Sequence, residues 1–415
     1  MKNARLPEII AMHSYWFGLS FMWNSLHVII LPAVLLRYVP ENAKNTYLGL
    51  LTFFGLIIAM IVQPLSGSLS DRWRSRWGKR RPLIALGTAF DFIFLAILAW
   101  AGGLLWLAIG YVGLQLSSNI AHGPAQGLLP DRVADDQLGR ASGIKNFMDM
   151  AGLVVSSLLV GRLLSEDAAN AALPILVIAA LLLVGLLVTL LGTREQSSLE
   201  SLPASEIAAK PSPMAGFNLL RSKPGELKLG RFGWLVAARF AFLLAIYDIQ
   251  VFAQYFIRDV IAPPNPVQLT GDLLAAITLA LIGFAVLGGM LGDRIGHRRV
   301  LALAGLVAAA GSLLMMMART PTTVLIFGGV LGMGVGLFLT SNWALANELA
   351  PAEQAGFYLG LTNLATAGAG AAGRLAGPGI DLLNNAAPGQ YLGYTGMFIF
   401  GAVCALASIA LLRKV

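Results

Sequence analysis

Runs of twenty or more mostly apolar residues recur along almost the whole chain, and this recurrence limits the fold more than any other feature of the sequence. A hydrocarbon layer about 30 Å thick is crossed by roughly twenty helical residues, and within it every backbone polar group must find its partner inside the protein. Helices meet that demand. The runs lie near 9–36, 46–70, 81–101, 104–129, 138–164, 171–192, 231–260, 268–292, 299–317, 322–347, 354–381 and 390–412, about twelve spans by the length criterion. Of 415 residues 57% are apolar and 12% charged, against about 25% charged in a soluble domain. The net charge of +8 does not point to nucleic acid, because the basic residues sit in loops between apolar runs. A lone cysteine, Cys404, leaves no intrachain disulfide and no thiolate cluster for a metal. The first run is too long for the apolar core of a cleaved signal peptide and reads as a transmembrane helix.

Between the sixth and seventh runs, residues 193–230 carry charges, Ser and Pro, as in SSLESLPASE and AAKPSPMAG. This is the expected linker, and it divides the chain into a six-helix half at 1–192 and a second at 231–415. With six crossings before it, the linker shares a side with the N-terminus. Lys2, Arg5, the Arg72 to Arg81 cluster, Lys210, Arg221, Lys223, Lys228, Arg298, Arg299, Arg413 and Lys414 then all fall on that side. Short loops rich in Lys and Arg stay in the cytoplasm, so both termini of a multi-pass protein of the cytoplasmic membrane are expected inside.

The two halves are copies. Gly67 and Asp71 recur as Gly289 and Asp293 at an offset of 222 (289 − 67), each within GxxxDR at the end of a second helix. Gly78, Arg80 and Arg81 then match Gly296, Arg298 and Arg299 at 218 (296 − 78), so the first-half loop is four residues longer. Gln137, Gly139, Gly143 and Asn146 match Gln354, Gly356, Gly360 and Asn363 at 217 (356 − 139), with Asp131 opposite Glu348. An offset that changes at a loop and then nearly holds marks an internal duplication.

Two six-helix halves that each carry GxxxDR between the second and third helices resemble the major facilitator superfamily, over essentially the whole chain. Within it, SDRWRSRWGKRRP resembles the extended loop of the glycoside–pentoside–hexuronide cation symporters and the related sucrose carriers. Gln63 and Pro64 just before the loop agree, as does HGPAQGLLPD, which is similar to the QGPCRALLAD at the end of a sucrose carrier's fourth helix. The resemblance implies an all-α membrane protein of about twelve helices in two pseudo-symmetric halves, working as a transporter and a monomer.

The loop has a physical reading of its own. Gly67 admits a neighbouring backbone, and Asp71 at a helix end accepts hydrogen bonds from a facing helix N-terminus. Arg72, Arg80 and Arg81 are placed to clamp acids at neighbouring helix ends, Asp131 in the first half above all. Gly289, Asp293, Arg294, Arg298 and Glu348 offer the same arrangement in the second. Such contacts form an expected cytoplasmic gate. The alternative is that these residues only set topology and bind anionic headgroups.

Ionisable groups inside membrane helices are candidates for substrate or coupling-ion contact, because burying them is costly. Asp91 lies in the third run, Lys145 and Asp149 one helical turn apart in the fifth, and Asp248 near the centre of the seventh. Tyr247, Gln250, Gln254 and Tyr255 surround Asp248 with groups suited to a polyol. Arg239, nine residues earlier and on nearly the opposite helix face, is expected to snorkel to the inner interface. Arg374 is a weaker cavity candidate. The proposed cavity extends to His13, Trp16, Trp23 and Asn24, to Gln115, Asn119, His122 and Gln126, and to Asn342, Trp343, Asn347 and Asn363, with His27 at the interface. Carboxamides exchange hydrogen bonds with hydroxyls, and an indole stacks on a sugar ring. Singly, each Trp or Asn is also an ordinary interface anchor or interhelical bond.

The sequence departs from its apparent relatives at two points. The resemblance places an aspartate and an arginine of the sucrose carriers' fourth helix at positions held here by Gln115 and Gln126. The melibiose-type carriers' second-helix carboxylates have no counterpart between Thr46 and Ser70. Coupling to H+ or Na+, if the carrier is coupled, then falls to Asp91, Asp149 or Asp248. No cofactor, metal or nucleic acid is expected: there is no GxxxxGK[ST], HExxH or CxxC. The reading is a secondary transporter of a small polar solute, a sugar or glycoside. An exporter of amphiphiles or drugs, or a lysolipid carrier, has the same fold. A receptor or assembly factor that moves nothing is the alternative of another class, and two matched gate motifs argue against it.

Overall fold

The computed structural model describes residues 5–164, 170–193, 195, 197–199, 230–351 and 355–415. Most of the expected linker lies outside these, as do Lys2, Lys210, Arg221, Lys223, Lys228 and Gln354. The described residues form helices α1 (Leu6–Leu35), α2 (Lys44–Arg72), α3 (Arg81–Ala99), α4 (Leu104–Arg132), α5 (Leu138–Leu163), α6 (Ala172–Gly192), α7 (Gly230–Ile261), α8 (Pro266–Ile295), α9 (His297–Met317), α10 (Pro321–Leu349), α11 (Ala355–Arg374), α12 (Gly377–Ala386) and α13 (Leu392–Leu412), with no strand among them. Eleven of these, all but α11 and α12, are long and apolar enough to cross a membrane.

The span expected at 354–381 is two helices. The break at Leu375 and Ala376 precedes Pro378, whose ring offers no N–H to the Arg374 carbonyl and crowds it. Gly49 of α2 lies so close to that carbonyl oxygen that a Cβ would collide with it. A comparable disturbance occurs in α1, which widens to a π-turn over Ser25–Ile30 before Pro32. Pro32 cannot donate to the Val28 carbonyl. With its amide turned so that the nitrogen faces α1, Gln254 of α7 donates there instead, at 2.8 Å, and to the Ile29 carbonyl at 2.9 Å, while Tyr255 donates to the Pro32 carbonyl at 3.0 Å.

Two compact units are present, one of Met1–Leu26, Phe54–Ser156 and Asp167–Arg221, the other of His27–Phe53, Ser157–Glu166 and Ser222–Val415. This division cuts through α1, α2 and α5, so it does not coincide with the boundary of the sequence repeat. In the first unit α1 packs on α6, and α3 on α4 and α6. The α2–α4 crossing is close because of Gly123, whose Cβ would meet the Gly67 nitrogen at 2.8 Å. At Gly67 itself the nearest neighbours are 3.8 Å away, so the tight position expected at Gly67 belongs to its partner.

In the second unit α8 and α9 flank α10, and α7 packs on α11 and α13. Small residues govern these contacts, as they do wherever lipid removes the hydrophobic drive for helix association. Gly332 and Gly336 face the backbone of α8, and Gly334 faces that of α9, where a Cβ would lie 2.9 Å from the Ala308 nitrogen. Gly332→Val is expected to destabilise the protein by about 1–3 kcal/mol through overpacking, read as a lower thermal midpoint in detergent. Gly329→Val, with nothing within 4 Å of a Cβ, is expected to leave the midpoint unchanged.

Candidate functional site

One membrane-embedded cation of the first unit joins three helices. Lys145 of α5 donates to Asp149 Oδ2 at 2.8 Å, as their one-turn spacing predicts. Its ammonium also lies 3.8 Å from the ring centroid of Trp16 on α1. Trp16 meets His122 of α4 edge to face at 4.9 Å, and the His122 and Gln126 side-chain nitrogens are 3.3 Å apart. Both charged side chains keep an opening, being 26% and 24% exposed. The α1–α5 approach is set by Gly152, where a Cβ would lie 3.1 Å from the Phe21 nitrogen. Ser20 closes it by donating to the Asp149 carbonyl at 2.6 Å, and Asn24 donates to the Ser20 carbonyl at 2.8 Å. A cation over an indole, neutralised by a carboxylate and left partly open, is a site where a polar solute can exchange contacts.

Other first-unit candidates stand apart from this group. Gln115 donates to the Tyr111 hydroxyl at 2.8 Å, and Asn119 donates to the Gln115 carbonyl at 2.8 Å, so both bonds stay on α4. Asp91 is fully buried and accepts from Ser117 Oγ at 2.5 Å. Its second oxygen has no hydrogen-bond partner, and among the described residues no cation pairs with it. His13 is buried with neither ring nitrogen bonded. Trp23 is half-buried.

The second unit has a corresponding group on α7, α10 and α11. Arg239 donates to Asn342 Oδ1 at 2.6 Å and to Thr366 Oγ1 at 2.9 Å, and it is 7% exposed. Its expected snorkelling is therefore corrected: the guanidinium is held between helices, because Asn342 and Thr366 offer it acceptors inside the bundle. Trp343 and Asn363 are exposed and take no part, and Asn347 donates to the Trp343 carbonyl.

Asp248 is not ringed by the hydroxyls and amides that its surrounding sequence suggested. It is buried where α11 presses on α7, with a Cβ at Gly373 only 2.9 Å from its nitrogen. Oδ1 accepts from the Ile249 nitrogen at 2.6 Å, and Oδ2 has no partner. Gln254 is committed to the α1 carbonyls, and Tyr247 and Gln250 are half-buried. Arg374 donates to the Gly370 carbonyl at 2.6 Å.

Of the residues expected to form a first-half gate, Arg80 is the one that pairs with both acids. It pairs with Asp71 at 2.5 Å and Asp131 at 2.8 Å, and reaches the Gly67 carbonyl at 3.3 Å. Lys79, absent from the expected set, adds a 2.9 Å pair to Asp131. Arg81 instead donates to the Leu190 carbonyl, and Arg72 is exposed. The second-half copy is not closed in the same way. Asp293 lies 3.8 Å from His297, one turn along, and Arg298 donates to the Arg413 carbonyl. Among the described residues no ion pair links Arg294, Arg298 and Glu348, and Gly289 has room for a Cβ, with Thr340 3.5 Å away.

A denser polar cluster, unanticipated in the sequence, surrounds the opposite end of α2. Lys44 pairs with Asp259 at 2.6 Å, with side chains 6% and 9% exposed, and Arg258 pairs with Glu41 at 2.7 Å. Asp381 of α12 caps α2, accepting from the Thr46 nitrogen at 2.6 Å, Thr46 Oγ1 at 2.7 Å and Asn45 Nδ2 at 2.7 Å. An acid at a helix N-terminus satisfies orphan N–H groups and opposes the helix dipole. These partners lie more than two hundred residues apart, and no local pattern announces them.

With known proteins, the sequence matches the family model described as Major Facilitator Superfamily over residues 10–373 and 249–415. It is similar to solute carrier family 45 member 3 of Mus musculus, 27% identical over 169 residues that cover 37% of this chain and 30% of that protein. It is also similar to sucrose transport protein SUC3 of Arabidopsis thaliana, 26% identical over 165 residues, covering 34% and 27%. The chain thus spans less than a third of the length of these relatives. Its fold is that of a D-xylose-proton symporter, with TM-score 0.71 at 15% identity over 99% of this chain and 97% of the other. A bacterial homolog of the human lysosomal transporter Spinster gives 0.73 at 15% over 99% and 98%. At such identities the likeness is one of fold.

Asp381→Asn is expected to weaken the α2 cap by about 1 kcal/mol. Spin labels at 42 and 385, where Asn385 donates to the Asn42 carbonyl at 2.8 Å, then report a broader distance distribution than in the parent chain. An unchanged distribution would show that the cap does not hold this end together.

Proposed function

Because the chain belongs to the Major Facilitator Superfamily, a family of transporters and not of enzymes, we propose that it is a secondary carrier of a small polar solute, a sugar or glycoside, working by alternating access in the cytoplasmic membrane with both termini inside. The observation that carries this reading is the partly open Lys145–Asp149 pair on the Trp16 indole. The Lys145 ammonium, the Asp149 carboxylate and the exposed Gln126 carboxamide supply hydrogen-bonding groups suited to a polyol, with the buried Trp16 ring as the floor beneath the ammonium. The sucrose transport protein among its relatives supports the same solute class. Neither a cofactor nor a second copy of the chain is needed.

Coupling to H+ or Na+ is assigned to Asp149. Of the three buried or half-buried candidate carboxylates, it alone faces a cation with part of its surface open. Arg80 with Asp71 and Asp131 braces the cytoplasmic ends of the first half. The Lys44, Arg258 and Asp381 contacts close the outer end of α2 and must break when that end opens.

Proteoliposomes loaded in turn with members of a labelled sugar panel test the reading under imposed proton or sodium gradients. The parent chain is expected to accumulate at least one sugar, Asp149→Asn to lose accumulation at least tenfold, and Asp248→Asn to stay within about twofold. Absence of gradient-driven accumulation of any sugar contradicts the solute and coupling assignments together. Full accumulation by Asp149→Asn removes that residue from coupling.

A further inference from the structure

The four-residue extension of the first-half loop takes no part in the ion pairs at its base. Where the second half has Ile295 between its GxxxDR and Gly296, the first has Trp73, Arg74, Ser75, Arg76 and Trp77 before Gly78. Arg80, Lys79, Asp71 and Asp131 form the ionic cluster without any of them. Arg72, Trp73, Arg74, Arg76 and Trp77 are all exposed, Trp77 to 68%, and no ion pair engages the three arginines among the described residues.

The display is nevertheless rigidly built. Ser75 Oγ donates to the Gly78 carbonyl at 2.7 Å, and Gly78 adopts φ +92°, which favours glycine. The Ser75 nitrogen donates to Ser198 Oγ at 2.9 Å, and the Ser198 nitrogen to the Ser75 carbonyl at 3.1 Å. Glu195 accepts from the Arg80 and Arg81 nitrogens at 3.0 Å each, capping α3. Beside the loop, Trp77, Arg81, Ala85, Leu187, Leu190 and Leu191 line an apolar groove of about 270 Å³ between α3 and α6. Leu187 and Leu191 are 46% and 77% exposed, so the groove runs onto the apolar surface of a membrane-spanning helix.

We propose that this loop and groove seat one anionic phospholipid, its phosphate among Arg72, Arg74 and Arg76 and the start of an acyl chain on Trp77, Leu187 and Leu191. Cations beside an anionic leaflet attract its headgroups, and indoles settle at the headgroup level. Three exposed guanidinium groups on the loop whose Trp77 lines the apolar groove complement a molecule that is anionic at one end and apolar at the other. A zwitterionic lipid fills the groove but leaves the arginines without a net negative partner. The inference rests on the chain spanning a membrane and uses the cytoplasmic placement of the loop only to choose the inner leaflet. It is independent of cargo and coupling.

Native mass spectrometry of the full chain, released from detergent with equal phosphatidylglycerol and phosphatidylcholine, reads this out. The parent chain is expected to retain one phosphatidylglycerol at least tenfold in preference. Arg72→Gln with Arg74→Gln and Arg76→Gln is expected to lose the preference while keeping its thermal midpoint, since all three side chains are exposed. Trp77→Ala is expected to weaken retention of phosphatidylglycerol at least threefold, and Arg298→Gln with Arg299→Gln to leave it unchanged. Equal retention of the two lipids by the parent chain, or an undiminished preference in the triple variant, overturns the proposal. Either result leaves the transport experiment untouched.

Discussion

A cation within the bilayer needs a partner, and Lys145 has two. Its carboxylate lies one turn along the same helix, and its aromatic platform stands on another. An isolated ammonium inside a membrane helix is costly, by about 2.5–3.5 kcal/mol at the helix centre and less toward its ends. The pair with Asp149 removes the net charge, and the Trp16 face replaces part of the lost hydration. The same contacts draw α1, α4 and α5 together, through Trp16, His122 and Lys145. Moving the ammonium away from either partner therefore acts at once on the packing of three helices. In the second unit Arg239 does a similar job for α7, α10 and α11 with neutral acceptors, which hold the guanidinium without cancelling its charge.

The two ends of α2 show how differently charge is used along one helix. At its C-terminal end, Arg80 gathers Asp71 and Asp131, a cluster that sits within one unit and draws only on the first sequence half. At its N-terminal end, Lys44 and the Asn45–Thr46 cap bind Asp259 and Asp381, which belong to the second sequence half. Both clusters sit within single compact units, and only the second joins residues of the two sequence halves. With side chains exposed by only 6% and 9%, separating the Lys44–Asp259 pair would be a rehydration event and not just a separation of charges.

What could be read in the sequence was local. The helix bounds emerge within a few residues of their expected positions because apolar runs end at charged or glycine- and proline-rich loops, and Lys145–Asp149 was visible because a helix puts residues four apart on one face. The break before Pro378 is marked in the sequence by Gly377, Pro378 and Gly379, a signal that run length alone does not register. Arg239 was misplaced because helical geometry relates its face to that of Asp248 but does not say that Asn342 and Thr366 wait on the neighbouring helices. Asp248 drew attention through the amides and hydroxyls beside it in sequence, yet Gln254 is consumed by a carbonyl that Pro32 frees. The Lys44, Asp259 and Asp381 cluster joins residues whose proximity depends on the tertiary fold, and no periodicity reports it. Only one of three candidate arginines in the loop reached Asp131, because Arg81 faces α6 and Arg72 faces outward.

The central claim, that Lys145 and Asp149 form one functional unit on Trp16, is tested most directly by a double-mutant cycle. Gradient-free sugar exchange is measured for Lys145→Gln, Asp149→Asn and the doubly neutral chain. Each single change leaves an unpaired charge in the membrane, so the account predicts that the double variant exchanges faster than either single, with a coupling of about 0.5–3 kcal/mol. Additive losses, with the double variant slower than both singles, would contradict it.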